Sequence, residues 1–161
     1  MVKSNEVLST NIKCLVRLKM IDVNSRNILV DNLMRTKLKP CGRHELSVEK
    51  LSRNAGYEVD VQVYYWNEYL GRDAKMDIVI NNELAIECKY QAVGGTADEK
   101  LPFVYTECFK HWKKGIIVVD GPWWKEGGGL NIVTHCKKEA QKYGAEVLYL
   151  EEFKERLQNG F

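Results

Sequence analysis

The sequence predicts an α/β domain in which a mixed central β-sheet of about five strands is flanked by helices. Three segments, 58–64, 76–80 and 83–90, alternate polar and apolar residues, which is typical of half-buried strands. A continuous apolar run between glycines at 115–121 is typical of a fully buried strand. Segments with apolar residues at helical spacing precede and follow these strands. The expected order is therefore helix, three strands, helix, strand, helix, strand.

The composition is that of a compact folded chain. The sequence has 161 residues, of which 45% are hydrophobic and 29% are charged, with only 3 prolines, so we expect a single domain over 1–161. No apolar run in the sequence approaches the roughly 20 residues that a membrane-spanning helix needs. The five cysteines are widely spaced and include no Cys-x-x-Cys pair, which argues against a disulfide framework or a zinc site. We therefore expect reduced thiols and a cytoplasmic location.

Residues 1–40 are expected to form a helical, basic N-terminal extension. Apolar residues recur at helical spacing in 7–18 and 25–37, and turn-forming residues end the second helix. Residues 1–55 carry eleven basic and five acidic side chains, a net charge of +6, whereas the rest of the chain carries −4. This asymmetry favours a phosphate-bearing partner, with Arg35 and Lys37 as candidate DNA contacts; a solvated helical surface is the alternative interpretation.

The first core elements follow from local signals. A helix over 44–55 is expected to end at Gly56, because glycine favours the position that follows a helix. The second and third strands are joined by Asn81 and Asn82, which is a hairpin turn signal. The first three strands are therefore expected to form a meander.

The second half of the core alternates helices and strands. Thr96 and Glu99 have the spacing of a capping box, which predicts a short helix that begins at Thr96. The glycines at 127–129 resemble a phosphate-binding loop only superficially, because no Gly-Lys-Ser/Thr sequence follows them. We therefore expect a flexible loop there. The closing elements are a helix over 130–143, a strand over 146–150 and a helix over 151–157.

Asp77, Glu87 and Lys89 form the candidate catalytic group. Residues two apart in a strand share a face, so Glu87 and Lys89 project together while Cys88 points the other way. The tight turn between the strands places Asp77 opposite Glu87. Two adjacent carboxylates repel each other unless a hard cation such as Mg²⁺ binds both, and the lysine can then orient or help to deprotonate a water. This combination predicts a hydrolytic site for a phosphodiester; an exposed Glu/Lys strand face is the alternative.

The same residues carry a resemblance to a known family. Asp77, a gap of nine residues and then Glu87, Cys88 and Lys89, placed after a helix and before an α-β segment, resemble the PD-(D/E)xK nuclease superfamily. The resemblance covers roughly 44–150, which would form a nuclease core of the restriction-endonuclease-like order αβββαβ. Within the superfamily, small type II restriction endonucleases are similar to this chain over the stretches 85–91 and 94–102.

The resemblance also implies the roles of these residues. Asp77, Glu87 and the main-chain carbonyl of Cys88 would bind the divalent cation, which is expected to be Mg²⁺ with Mn²⁺ as a substitute. Lys89 would act beside that cation. Met76 stands where the eponymous proline would be, and because that proline holds no metal, its replacement leaves the predicted site intact.

Further residues are predicted around this group. Relatives often add a glutamate from the first helix; Glu45 and Glu49 both qualify, and we prefer Glu45 because its helix face points partly inward. Gln91 continues the face of the catalytic strand residues and resembles a glutamine that follows the lysine in many relatives. Lys100 lies in the first turn of the next predicted helix, where a lysine opposes the helix dipole, so it is a candidate DNA contact.

These observations predict a Mg²⁺-dependent endonuclease that hydrolyses phosphodiester bonds in double-stranded DNA. A sequence-specific type II restriction endonuclease is the first hypothesis. A homing, nicking or junction-resolving endonuclease of the same fold is the alternative, and a non-catalytic DNA-binding module is the third. Because cutting both strands of a duplex needs two sites related by its symmetry, we expect a homodimer or an assembly of dimers, with the N-terminal helices as the candidate dimer surface.

Overall fold

The structure is a computed structural model that describes residues 42–161. These residues belong to one compact unit, Leu38–Phe161. The two predicted N-terminal helices, the candidate contacts Arg35 and Lys37, and the predicted dimer surface lie outside the described residues. None of the helices within 42–161 has the length and apolar character that crossing a membrane would require.

The described residues form a central sheet with helices before, between and after its strands. The elements in chain order are α1 (Arg43–Asn54), β1 (Val59–Asn67), β2 (Arg72–Ile80), β3 (Leu84–Tyr90), α2 (Leu101–Thr106), β4 (Lys114–Asp120), α3 (Gly127–Ala140), β5 (Ala145–Tyr149) and α4 (Leu150–Asn159). Short 3₁₀ turns lie at Asp98–Lys100, Cys108–His111, Pro122–Lys125 and Gln141–Tyr143.

The sheet is mixed, and its five strands lie in sequence order from β1 to β5. The pairs β1–β2 and β2–β3 are antiparallel, whereas β3–β4 and β4–β5 are parallel. Parallel neighbours need a crossover because consecutive strands start from the same edge, and the segments that contain α2 and α3 supply the two crossovers. The predicted fold class, a five-stranded mixed sheet flanked by helices, is confirmed.

Each face of the sheet has its own apolar core. On one face, Val79 and Val119 pack with residues of α2 and α3. On the other face, Ile78 and Ile86 pack with residues of α1 and α4. Strand β4 is covered on both faces, which is the physical reason for its continuous apolar sequence.

The hairpin turn between β2 and β3 forms as predicted. Asn81 and Asn82 adopt φ values of 51° and 56°, in the left-handed region that asparagine tolerates better than most residues. The main-chain N–H of Glu83 donates to the carbonyl oxygen of Ile80 at 3.0 Å, which closes the turn. This geometry sets the register between β2 and β3, and therefore which residues of the two strands lie level with each other.

The alternation of β1 and β2 breaks at Gln62 and Asp77, two residues that the strand pairing skips. Val61 packs into the core on the side of α1, whereas Val63 packs into the core on the opposite side. The two strands keep one continuous register across this point, so no residue is inserted. Instead, Gln62 adopts a φ of 54°, and the strands switch the face that they present. The switch occurs beside the candidate catalytic group.

The glycines at 127–129 do not form the predicted loop, because they make the first turn of α3. A Cβ atom on Gly129 would lie 2.1 Å from the main-chain oxygen of Trp123. Only a residue without a side chain lets α3 approach the preceding 3₁₀ turn this closely. Gly129 therefore serves packing rather than flexibility.

The predicted capping box at Thr96 and Glu99 is wrong. A 3₁₀ turn forms at Asp98–Lys100 without a side-chain cap, and α2 begins at Leu101. Pro102 lies in the first turn of α2, a position that suits its fixed φ and its missing N–H. The proline thus marks the helix start better than the Thr/Glu spacing does.

Candidate active site

Asp77 lies where β2 separates from β3. The ladder between these strands ends at the pair Ile78–Ile86, so Asp77 and Glu87 are level in register but are not themselves paired. The side chain of Asp77 fills the gap, because its Oδ2 accepts a hydrogen bond from the main-chain N–H of Cys88 at 2.8 Å. Asp77 and Glu87 are therefore neighbours, as predicted, and the Asp77 side chain bonds directly to the main chain of β3.

The main chain of Cys88 also faces this gap. In a strand, the N–H and C=O groups of one residue point to the same side, so the carbonyl of Cys88 points towards β2 together with its N–H. Because the β2–β3 ladder has already ended, no strand pairing with β2 uses that carbonyl. The side chain of Cys88 is buried in the core on the side of α1, where burial raises the pKa of its thiol.

Glu87 and Lys89 form an ion pair beside Asp77. Their side chains are 15% and 20% exposed, so both charges are largely removed from water. Burial is the main cause that raises the pKa of Glu87 to about 7, and repulsion from Asp77 and Glu45 adds to it, against the attraction of Lys89. Negative charge therefore accumulates here beyond what one lysine neutralises.

The pKa values of Asp77 and Lys89 are also raised. Burial raises the pKa of the Asp77 carboxyl more than the Cys88 N–H and the Lys89 ammonium lower it. Burial lowers the pKa of Lys89, but the attraction of Glu87 and Asp77 outweighs this effect. Lys89 therefore carries its proton at neutral pH, which makes it a hydrogen-bond donor and a positive charge.

Glu45 reaches this group from the first turn of α1. Its Oε2 accepts a hydrogen bond from Nε2 of Gln62 at 3.0 Å, and the same nitrogen lies 3.4 Å from Oδ1 of Asp77. Glu49, the second glutamate that the sequence offered, pairs instead with Arg53 at 2.9 Å. The geometry thus brings the preferred glutamate, and not its alternative, to the candidate catalytic residues.

Gln91 lies just beyond the end of β3 and is buried. Its main chain joins the loop after β4, because its N–H donates to Asp120 and its carbonyl oxygen accepts from Trp123. Within residues 42–161, neither polar atom of its side-chain amide has a hydrogen-bond partner. Burying an amide without hydrogen-bond partners destabilises the fold. A substrate or a water could accept from Nε2 of Gln91 and donate to its Oε1.

Sequence reasoning missed two residues of this region, Gln62 and His44. His44 Nε2 lies 3.0 Å from the carbonyl oxygen of Val118, so this nitrogen carries the proton that donates there. Its Nδ1 lies 3.9 Å from Oδ2 of Asp120. Gln62 sits in the middle of an alternating strand pattern, and no local signal marks its left-handed backbone or its long-range partners.

The predicted DNA contact Lys100 is exposed and lies at the end of the 3₁₀ turn before α2. The sequence predicted Lys100 in the first turn of that helix, whereas in the structure it precedes the helix. Arg35 and Lys37 lie outside the described residues, so their role stays a prediction.

The donor set of the site suits a hard divalent cation. Within the described part of the chain, no three carboxylate, imidazole or thiol side chains form a ready-made metal cage. The oxygen donors available are the carboxylates of Asp77 and Glu87 and the main-chain carbonyl of Cys88. Oxygen ligands of this kind are those that Mg²⁺ and Mn²⁺ prefer. Burial is the main cause that raises the pKa values of both carboxyls, and a bound cation would favour their charged forms.

Comparison with known proteins identifies the family. The family model of the PD-(D/E)XK nuclease superfamily domain matches residues 23–161, which is most of the chain. The chain belongs to the PD-(D/E)XK nuclease superfamily. The predicted resemblance is thus confirmed, and the match extends beyond 44–150 in both directions. This PD-(D/E)XK chain has no match among the curated proteins.

One solved structure shows similarity to this PD-(D/E)XK chain. It is described as the crystal structure of a protein of unknown function, AF1548, and it has 17% sequence identity and a TM-score of 0.44. The alignment covers 66% of this chain and 57% of the other, so the chain spans little more than half of that protein's length.

Proposed function

We propose that this chain is a divalent-cation-dependent endonuclease that hydrolyses phosphodiester bonds in double-stranded DNA. Superfamily membership supports the nuclease class. The observation that carries the proposal is the convergence of Asp77, Glu87 and Lys89 where β2 leaves β3, with the Asp77 carboxylate bonded to the Cys88 N–H. A surface with no catalytic role gains nothing from burying two carboxylates side by side, because their repulsion destabilises the fold.

Each residue has a separate role in this proposal. Asp77, Glu87 and the Cys88 carbonyl would hold a Mg²⁺ ion, or Mn²⁺ in its place. Such an ion, when bound, supplies positive charge that activates a water and stabilises a phosphoryl group. Attraction to Glu87 and Asp77 raises the pKa of Lys89 in the ion-free chain, so its ammonium group is a donor beside the reacting groups. We assign it to orient the attacking water and to neutralise charge on the phosphate.

Within this class, we propose a type II restriction endonuclease that acts as a homodimer. The proposal rests on the resemblance, predicted from the sequence, of the stretches 85–91 and 94–102 to small enzymes of this kind. It is also supported by the antiparallel symmetry of duplex DNA, which one catalytic site cannot match alone. A homing, nicking or junction-resolving endonuclease would use the same site on a different substrate.

Plasmid cleavage tests the proposed function. We expect the purified chain to cut supercoiled plasmid in Mg²⁺ and not in EDTA. Asp77→Asn, Glu87→Gln and Lys89→Met should each lower the rate by at least about 100-fold, because the first two remove a charge that holds the cation and the third removes a charge that acts on the reacting phosphate. Glu49→Gln is the control, since it removes a carboxylate of α1 that pairs with Arg53 away from the site, and it should cut at the wild-type rate.

The outcome also separates the candidate functions. Near-normal cleavage by Glu87→Gln at saturating Mg²⁺ would contradict the assigned site. Sequencing of the fragment ends distinguishes the subtypes, because a short palindromic site supports restriction, a long asymmetric site supports homing, and a preference for branched DNA supports junction resolution. Binding without cleavage under all conditions would leave only the non-catalytic module.

A further inference from the structure

Gln62 is a buried polar residue in an unfavourable backbone conformation. It is 5% exposed, and its φ of 54° lies in the left-handed region. This conformation is unfavourable for a residue with a side chain, so it persists only where other interactions outweigh its cost. Such strain is found most often at functional sites.

The side chain contacts two active-site carboxylates through one atom. Nε2 lies 3.0 Å from Oε2 of Glu45 and 3.4 Å from Oδ1 of Asp77. The amide nitrogen carries two hydrogens, one for each oxygen, whereas an ionised carboxylate can only accept. If the Gln62 amide were turned over, its Oε1 would lie against Oε2 of Glu45 and Oδ1 of Asp77, and three oxygen atoms would face one another. The chemistry of the neighbours therefore sets the orientation of the amide, with its positive end between the carboxylates.

This arrangement occupies the space that a second cation would need. A divalent cation that bridged Glu45 and Asp77 would lie about 2.0–2.5 Å from their oxygens, next to the hydrogens of the Gln62 amide. The positive end of the amide would repel it. The other oxygen of Asp77 accepts from the Cys88 N–H, on the side of the gap that leads to Glu87. The position between Asp77 and Glu87 therefore stays available to a cation, whereas the position between Asp77 and Glu45 is filled by the Gln62 amide.

We propose that Gln62 is a positioning residue that ties Glu45 to Asp77 and limits the active site to one divalent cation. This inference rests on the proposed function, because it requires that the site binds a cation. Glu45 is then a partner of Gln62 and not a cation ligand. The strained backbone of Gln62 is the means by which a residue of β1 turns its side chain towards α1, where Glu45 lies.

The number of bound ions tests this inference without DNA and without turnover. The full chain is titrated with Mn²⁺, and free Mn²⁺ is counted by electron paramagnetic resonance. The wild-type chain is expected to bind one ion. Gln62→Glu has the same length but replaces the amide nitrogen by a carboxylate oxygen, so it is expected to bind two. The added negative charge should also lower the melting temperature of the ion-free variant, and saturating Mn²⁺ should restore it.

Glu45→Gln keeps the test decisive if Gln62→Glu does not fold. Because Glu45 acts through Gln62, this variant should still bind one ion and lose no more than about tenfold in affinity, as residues behind the ligands do. Glu87→Gln, which removes a proposed ligand, should lose more than Glu45→Gln.

Three results would overturn the inference. They are two ions in the wild-type chain, one ion in a folded Gln62→Glu variant, and an affinity loss in Glu45→Gln as large as that in Glu87→Gln. A wild-type chain that binds no Mn²⁺ would overturn the proposed function itself, so the two failures are distinguishable.

Discussion

The clustered carboxylates predict how the stability of the ion-free protein depends on pH. The pKa of Glu87 is about 7 in the folded chain, against an ordinary value of 4.5, mainly because the carboxyl is buried. A carboxyl whose pKa is raised on folding favours the folded state while it is protonated. Its contribution is therefore fully present below pH 4.5 and is lost as the pH rises through 7.

The size of this loss follows from the two pKa values. Each tenfold difference in proton affinity is worth about 1.4 kcal/mol, so the folded chain should lose about 3 kcal/mol of unfolding free energy between these pH values through Glu87 alone. Glu87→Gln cannot ionise and should lack this loss. Subtracting the unfolding free energy of the variant from that of the wild type at each pH cancels the titration of most other groups.

Urea denaturation in EDTA at several pH values measures this difference. We expect the wild-type minus Glu87→Gln curve to fall by about 3 kcal/mol as the pH rises from 4.5 to 7, and then to level off. Glu49→Gln is the control. It disrupts a surface ion pair with Arg53, so the wild-type minus Glu49→Gln difference should vary with pH by less than about 1 kcal/mol. A wild-type minus Glu87→Gln difference that is flat or rises with pH would refute the reasoning.

Three further predictions concern packing, DNA binding and assembly. Gly129→Ala should lower the unfolding free energy by about 1–3 kcal/mol, because its Cβ would lie 2.1 Å from the Trp123 oxygen. Gly128→Ala, whose Cβ meets the indole at an ordinary 3.5 Å, should be neutral or stabilise by up to about 1 kcal/mol, and equal effects in thermal melts would contradict this packing. If Arg35 and Lys37 contact phosphates, replacing each by Ala should reduce the slope of log K for DNA against log salt by about one, and an unchanged slope would show a solvated surface. Sedimentation equilibrium at micromolar concentration should give a dimer, and a monomer of 18.6 kDa whose nicking precedes linearisation would contradict the dimer.

The part of the site that could be predicted from the sequence is the part that local geometry determines. Asn81 and Asn82 are adjacent in the chain, and their tolerance of the left-handed region is a property of the residue type. The turn sets the register of β2 against β3, and register alone brings Asp77 level with Glu87. Period-2 alternation then places Lys89 with Glu87. No long-range information is needed for any of these steps.

Elsewhere, local patterns were insufficient because a distant contact decided the outcome. The sequence Gly127–Gly129 has the composition of a loop, but the approach of α3 to the Trp123 carbonyl makes it the first turn of a helix. Glu45 and Glu49 lie on the same helix and both suit a catalytic role. What separates them is a partner 17 residues away, because Nε2 of Gln62 bonds to Glu45.

The sequence by itself therefore determined the α/β class, the hairpin and the acidic group with its lysine, since each depends on residues close together in the chain. The tertiary structure decided which glutamate joins that group and how Gln62 links it to Asp77. The physical reason is the backbone of Gln62, whose φ of 54° is unfavourable in isolation. In the folded chain, α1 packs on the sheet and brings a Glu45 carboxylate oxygen within hydrogen-bonding distance of the amide, 3.0 Å from its nitrogen, and a contact between residues so far apart in the chain leaves no local signal.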